Sequence, residues 1–395
     1  MLHKNRLYTP GPTQLLPAAQ FAMAAATMHH RTAEFRDLYV RTLADLKSFI
    51  GTRNDVILMA CSGSGAMEAS VSNLTSPGDR VLVLSAGKFG ERWSSLAKAY
   101  GVKADVVSAP YGETISLDAV REKLDGHRVV YMQGTETSTG VRHDVEGVAR
   151  LLKGSDTLLV VDAITGLGTT HFNVDDWDVD VLIGGSQKAV MIPPGLAYLS
   201  VSERAWQRIE QSSNPRFYFD LRKERKSAAK GESAYTPATS LIAGLGAALD
   251  FIRGMGNGDL AAGRYELVEN AETAAEMTRA AAEALGLKMF AKASPAAAVT
   301  AICAPVGIDS GAIVKGFRNQ FGAVVANGQG DEMKGKIFRV AHLGYYDYLD
   351  TIAVIGALEH VLASISKPAH VEFGPGLRAA QMIYARRATF AAAAV

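Results

Sequence analysis

Only two cysteines, Cys61 and Cys303, occur in the 395 residues. Two thiols make no disulfide framework and fit a reducing compartment, so a cytoplasmic location is expected. Neither has the Cys/His spacing of a metal site, and no metal is expected. An excess of one charge is missing too: 41 Lys and Arg against 40 Asp and Glu leave a net +1. That balance gives no electrostatic case for nucleic acid or an anionic membrane as partner. No continuous apolar run of bilayer-spanning length is seen, and the start, Met1 to Arg6, has no signal-peptide apolar region. What is present is ordinary globular material, 48% hydrophobic and 21% charged. The chain is long for one core, so two domains are expected.

Apolar strands alternate with helical patterns from Val56 to Ser200, which predicts a parallel or mixed α/β sheet. Strands are read at 56–59, 80–84, 104–108, 128–133, 157–161 and 181–183. Helices are read at 34–50, capped by Thr32, and at 91–100 and 144–153. After Ser202 the pattern changes. Helices near 240–253 and 260–285 lead to strands at 288–290, 298–303, 322–325 and 336–342, with helices at 310–320 and 352–362. This second set reads as a compact α+β unit. The expected division is an arm (1–20), a large domain (21–255), a small C-terminal domain (256–365) and an extension (366–395) to which the sequence assigns no role.

The chemistry concentrates in one loop. The strand Val181-Leu182-Ile183 breaks at Gly184-Gly185, presents Ser186, Gln187 and Lys188, and closes with Pro193-Pro194-Gly195. A loop lysine ordinarily keeps its head in water. Wedged between two buried strands it loses hydration, its pKa falls, and a neutral amine becomes available for Schiff-base chemistry. Upstream, the apolar run at 157–161 ends at Asp162, where a central parallel strand meets the edge at which open α/β sheets bind ligands. A helix cap or turn is the ordinary use of such an aspartate. A lysine and a carboxylate on one edge are what pyridoxal phosphate needs, the acid keeping the ring nitrogen protonated. The interval from Asp162 to Lys188 leaves room for a crossover and one more strand. The small-residue turn Cys61-Ser62-Gly63-Ser64-Gly65-Ala66, opening a helix, suits a phosphate, although many strand–helix turns look alike. Arg339 lies in an apolar strand, where a guanidinium needs a carboxylate partner. The adjacent His29 and His30 are read as structural.

Taken together, Val160-Val161-Asp162-Ala163 and Gly185-Ser186-Gln187-Lys188-Ala189 with Pro193-Pro194-Gly195 resemble the class V aminotransferases of PLP fold type I. The similar branch is that of the alanine–glyoxylate, serine–glyoxylate and serine–pyruvate transaminases. The resemblance runs from Tyr8-Thr9-Pro10-Gly11-Pro12 to about Leu362. It implies a large PLP-binding domain with a mostly parallel, seven-stranded type of sheet flanked by helices, and a smaller C-terminal α+β domain. It implies that Lys188 carries the coenzyme as an aldimine and moves the proton, with Asp162 at the ring nitrogen. It places Phe89 on the ring, Thr137 at a ring substituent, and Ser64, Gly65, Ala66 and Gln187 around the phosphate, neutralised mainly by amides. Many relatives have histidine where Ala66 stands, and often tryptophan where Phe89 stands. Arg339 is implied to hold the substrate carboxylate, and the arm, with Thr9 and Gly11, to cross the entrance. Tyr235 and Thr236 are implied to reach the partner's phosphate in a homodimer with shared active sites. The implied activity moves an amino group from alanine or serine to glyoxylate or pyruvate. The alternatives are an aspartate aminotransferase of the same family, a cysteine desulfurase or lyase, and a non-catalytic accessory subunit, since members of this branch carry the name of soluble hydrogenase subunits. The desulfurase reading is disfavoured because Cys303 falls in a strand and Cys61 beside the phosphate turn.

Overall fold

The computed structural model describes residues 3–25, 28–365 and 372–393. Part of the extension, 366–371 and 394–395, lies outside the described residues. The chain begins with β1 (Arg6–Tyr8), α1 (Pro17–Ala24) and α2 (Ala33–Ile50). Thr32 caps α2 by accepting the Phe35 amide at 3.3 Å, and Gly51 ends it at φ 76°. The α/β run follows: β2 (Asp55–Met59), α3 (Gly63–Leu74), β3 (Arg80–Ser85), α4 (Lys88–Ala99), β4 (Lys103–Ser108), α5 (Leu117–Lys123) and β5 (Val129–Gln133). After the short ribbon β6 (Thr135–Glu136) and β7 (Val141–Arg142) come α6 (Val145–Leu152), β8 (Leu158–Asp162), β9 (Val181–Gly185) and β10 (Ala197–Val201).

These strands form one seven-stranded sheet in the order β2-β10-β9-β8-β5-β3-β4. Every pairing is parallel except those of β10, which runs antiparallel to both β2 and β9. Strands β5, β8, β9 and β10 are buried at every position. Helices cover both faces, so these strands read as unbroken apolar runs rather than alternating ones. One face packs on Phe35, Leu46, Phe49 and Leu249, the other on Met67, Val71, Trp93 and Trp206. Each such side chain contributes about 1.5–3 kcal/mol of burial. Because β8 and β9 are adjacent and parallel, with Asp162 opposite Ile183, their C-terminal ends open on one edge.

Helices α7 (Glu203–Gln211), α8 (Leu221–Ala228), α9 (Thr239–Met255) and α10 (Leu260–Ala284) lead to the smaller unit. It comprises β11 (Val299–Cys303), α11 (Ser310–Phe321), β12 (Ala323–Asn327), β13 (Ile337–Ala341), α12 (Tyr348–Ile365) and α13 (Pro375–Ala393). Its four-stranded sheet runs β1-β12-β13-β11, with β1 parallel to β12. The N-terminal arm is thus sewn into the small sheet, across the division read at residue 20. The strand read at 288–290 amounts to a single bridge, Met289 to Ile302, at the end of β11. The extension folds as α13 and lies along α10, where Arg387 meets Glu276 at 2.9 Å and Glu269 at 3.3 Å. Its entry is held by the buried Glu359, which accepts the amides of Gly374 and Gly376 at 2.9 Å and Leu377 at 3.3 Å. One helix, α12, does have the length and mean hydropathy, 1.4, of a membrane span, against the expectation of none. Its apolar residues Val354, Ile355, Leu358 and Val361 instead fill the small core.

Candidate active site

Lys188 sits in the reversal between β9 and β10. A Cβ on Gly184 would strike the Tyr198 ring, so glycine is what lets the β10 tyrosine cross there. Ser186 Oγ donates to Pro193 O at 2.7 Å and accepts the Leu196 amide at 3.2 Å, tying the loop's two ends. Thr13 Oγ1 donates to Lys188 O at 3.2 Å. The lysine is 8% exposed. Burial lowers its pKa to about 8, with Arg339 and Arg92 pushing the same way and Asp162 opposing. At pH 7 about one molecule in ten then carries the neutral amine, against roughly one in three thousand for a lysine at 10.5.

Asp162 ends β8 and is 5% exposed. Burial raises its pKa to about 6, while the Ile164 amide, 2.9 Å from Oδ1, and the Lys188 charge lower it. Among the described residues Oδ2 accepts nothing, which leaves it free for a protonated ring nitrogen. The anion end of the site is the start of α3. Ser62 makes no side-chain cap, and the amides of Gly65 and Ala66 turn to Ser62 O at 2.9 and 3.3 Å. The amides of Gly63 and Ser64 have no acceptor among the described residues, the arrangement that receives a phosphate. Ala66 lies at the same helix start with its side chain in the core, so only its amide, which reaches Ser62 O at 3.3 Å, faces this end. Gln187 Oε1, beside Lys188, is buried without a partner, an acceptor that calls for a donor, while its Nε2 is the atom able to donate to an anion. A phosphorylated pyridine aldehyde fits these open groups.

Three residues that sequence reasoning passed over organise the stacking side. Glu136 is fully buried and accepts the Phe89 amide at 3.1 Å, the Gly90 amide at 2.9 Å, and the Ser138 amide and Oγ at 3.1 and 2.5 Å. It caps α4 from a distant segment. Burial pushes its pKa up while these four donors pull it down. Gln133 Nε2 holds Phe89 O at 2.9 Å, so the ring's backbone is fixed on both sides. Arg92, one turn into α4, donates from Nη1 to Ser64 Oγ at 2.8 Å and lies 4.9 Å from the Phe89 ring centre. The only signal for Glu136 was an acid inside a hydroxyl-rich loop after a buried strand. Arg92 gave none, since it stands among the polar positions of an amphipathic helix.

Thr137 is buried, and its hydroxyl pairs with that of Thr165 at 2.7 Å. Arg339 reaches across from β13, donating to Thr137 O at 3.0 Å from Nη1 and to Asn327 O at 2.7 Å from Nη2. It is 2% exposed, and burial lowers its pKa to about 10. It meets carbonyls and, among the described residues, no carboxylate. From the arm, Pro10 O accepts a hydrogen bond from Lys188 Nζ. Gly11 adopts φ 142°, and a Cβ there would lie 2.5 Å from Lys188 Nζ. Thr9 Oγ1 turns away to Pro12 O at 2.7 Å. Tyr235 and Thr236 are not brought to Lys188 within the chain. Tyr235 donates to Phe217 O at 2.5 Å and stacks on Tyr218 at 4.9 Å, and Thr236 is exposed. Burial pushes the Cys61 thiol up to about 12 and raises that of Cys303, so neither is a ready nucleophile.

Comparison with known proteins adds to this geometry. The sequence profile of "Aminotransferase class-V" matches residues 17–310. A "Soluble hydrogenase, small subunit" of Synechococcus sp. (strain PCC 6716) is 38% identical over 95% of this chain and 97% of its own length. The L-aspartate–glyoxylate aminotransferase of Paracoccus denitrificans is 34% identical, covering 100% of this chain and 99% of that protein. The solved aspartate aminotransferase of subgroup IV from Thermus thermophilus superposes with a TM-score of 0.84 at 33% identity, over 92% of this chain and 100% of that one.

Proposed function

The chain belongs to the class V aminotransferases, a membership that implies pyridoxal phosphate, and from it we propose that the protein transfers an amino group from alanine or serine to glyoxylate or pyruvate. The buried Lys188 beside the buried Asp162, on the shared edge of β8 and β9, carries this reading. When bound, the coenzyme supplies an aldehyde and an electron-withdrawing ring. Lys188 Nζ would be the amine that holds the coenzyme and the base that moves the substrate's Cα proton. Asp162 Oδ2 would accept the proton of the ring nitrogen. Phe89, braced by Glu136 and Gln133, would support the ring, with the Thr137 hydroxyl as a further donor. The Gly63 and Ser64 amides, with Gln187 Nε2, would hold the phosphate. Arg339 turns a guanidinium edge to the substrate carboxylate, and Gly11 keeps the space above Nζ clear.

Tyr235 and Thr236 enter this reading through a homodimer, each completing the phosphate site of the other chain. Tyr235 is engaged with Phe217 and Tyr218, and Thr236 is exposed, which supports that arrangement. A cytoplasmic setting is part of the proposal, supported by two unpaired thiols. Aspartate as donor is the second reading, supported by the activity named for the Paracoccus relative and by the Thermus structure. Purified protein should turn yellow with the coenzyme, and borohydride should fix it onto Lys188. A panel of alanine, serine and aspartate against glyoxylate and pyruvate decides the substrate. Reaction with aspartate alone overturns the first reading.

A further inference from the structure

We propose that Arg92 supplies the positive charge that holds the coenzyme phosphate against the start of α3; this rests on the pyridoxal phosphate reading above. The argument starts from what Arg92 touches. Its Nη1 donates to Ser64 Oγ at 2.8 Å, and Ser64 is one of the two residues whose amides stand open at the helix start. Its guanidinium lies 4.9 Å from the centre of the Phe89 ring, the ring assigned to stacking. Arg92 therefore links the anion end of the site to its aromatic wall.

What Arg92 lacks is an anion. No carboxylate lies within 4.0 Å of it among the described residues. The two acids nearest it on α3 and α4 are engaged elsewhere: Glu68 accepts from Tyr100 Oη at 2.7 Å, and Glu91 binds Lys88 Nζ at 2.9 Å. A half-buried guanidinium held by one hydroxyl, with Nε and Nη2 uncommitted, keeps its fork open for a phosphate oxygen. The other cations of the site are unsuited to this role. Lys188 must be neutral to react, and Arg339 is drawn to the carbonyls of Thr137 and Asn327. A phosphate brings a charge of about −1.5 to −2, and the amides and the neutral Gln187 leave it uncompensated. The Arg92 charge is also felt at both Lys188 and Asp162, as the weakest of the influences on each.

The test separates phosphate from ring. Apoprotein of wild type, Arg92→Met and Arg92→Lys is titrated with pyridoxal phosphate, with pyridoxal, and with inorganic phosphate, following protein fluorescence and the melting midpoint. Arg92→Met should weaken pyridoxal phosphate on the order of 10–100-fold, the value of a charged hydrogen bond, and leave pyridoxal unchanged. Inorganic phosphate should raise the melting midpoint of wild type and not of Arg92→Met. Arg92→Lys should recover part of the loss, because it keeps the charge without the fork. An equal loss for both ligands overturns the proposal and reduces Arg92 to a support for Phe89. No loss overturns it outright. Should Arg92→Met not fold, the same contrast is read from Arg92→Lys and Arg92→Gln. A wild-type apoprotein that prefers neither ligand brings down the coenzyme reading itself, a different result from any of these.

Discussion

Two regions of the molecule treat charge in opposite ways. Along the seam of α10, α12 and α13, Arg387 has Glu269 and Glu276, and Glu359 has three amides at the entry of α13. At the edge of β8 and β9, Asp162 has one amide, Arg339 has carbonyls, Arg92 has a hydroxyl, and Lys188 is held by a carbonyl of the arm. The first set closes on itself, apart from Arg279 on α10, whose buried Nη1 has no partner among the described residues, and it serves the fold. The second is left open by several polar partners, and an open set of buried charges is the mark of a ligand site.

Substitutions should respect that contrast. Lys188→Ala should lower kcat/KM for transamination by at least about 10³-fold, because one residue provides both the amine and the base. Its melting midpoint should hold or rise, since a desolvated amine is removed. A variant that loses activity by unfolding would break the contrast at its strongest point. Arg339→Gln should raise KM for the amino acid about 10–100-fold with a smaller change in kcat, read from steady-state kinetics. A kcat effect alone would reassign it to the Thr137 loop.

The rate at which apoprotein takes up pyridoxal phosphate should climb with pH, about tenfold per unit, and level off near pH 8, where Lys188 loses its proton. The same amine gives a stability signature. Its folded pKa lies below its unfolded one, so the unfolded chain binds more protons between about 8 and 10.5, and apoprotein stability should rise with pH across that window. Lys188→Ala should flatten both profiles. On the seam, Glu359→Ala should cost about 1–2 kcal/mol of stability by uncapping α13, seen in denaturant melts, with kcat/KM untouched.

The sequence carried the sheet and its reactive edge because buried parallel strands announce themselves as unbroken apolar runs. Those ending at Asp162 and Gly185 locate the edge to the residue. It was silent where a role comes from tertiary placement. Glu136 is a helix cap for α4 from 46 to 47 residues away, so no local capping pattern exists to read. Arg92 occupies a position that looks solvent-facing until α3 is packed beside it. The partner of Lys188 in the arm is a backbone carbonyl, and every residue has one. The extension was unreadable because its helix is specified by what it packs on, Glu359 and α10, more than by its own alanine-rich pattern. The span-like α12 shows the converse: composition alone does not tell a core helix from a membrane one.

The carbonyl of Pro10 on the Lys188 amine has a consequence for the life of the unloaded chain. Metabolite aldehydes and oxo acids condense with an exposed neutral amine, and here the amine is buried, with one of its hydrogens held by the Pro10 carbonyl of the same polypeptide. A single residue separates Pro10 from β1, and β1 pairs with β12 in the small sheet, so the arm that covers the amine belongs to the same sheet as Arg339 on β13. The group that covers the lysine and the group proposed to receive the amino acid are thus fixed to one platform.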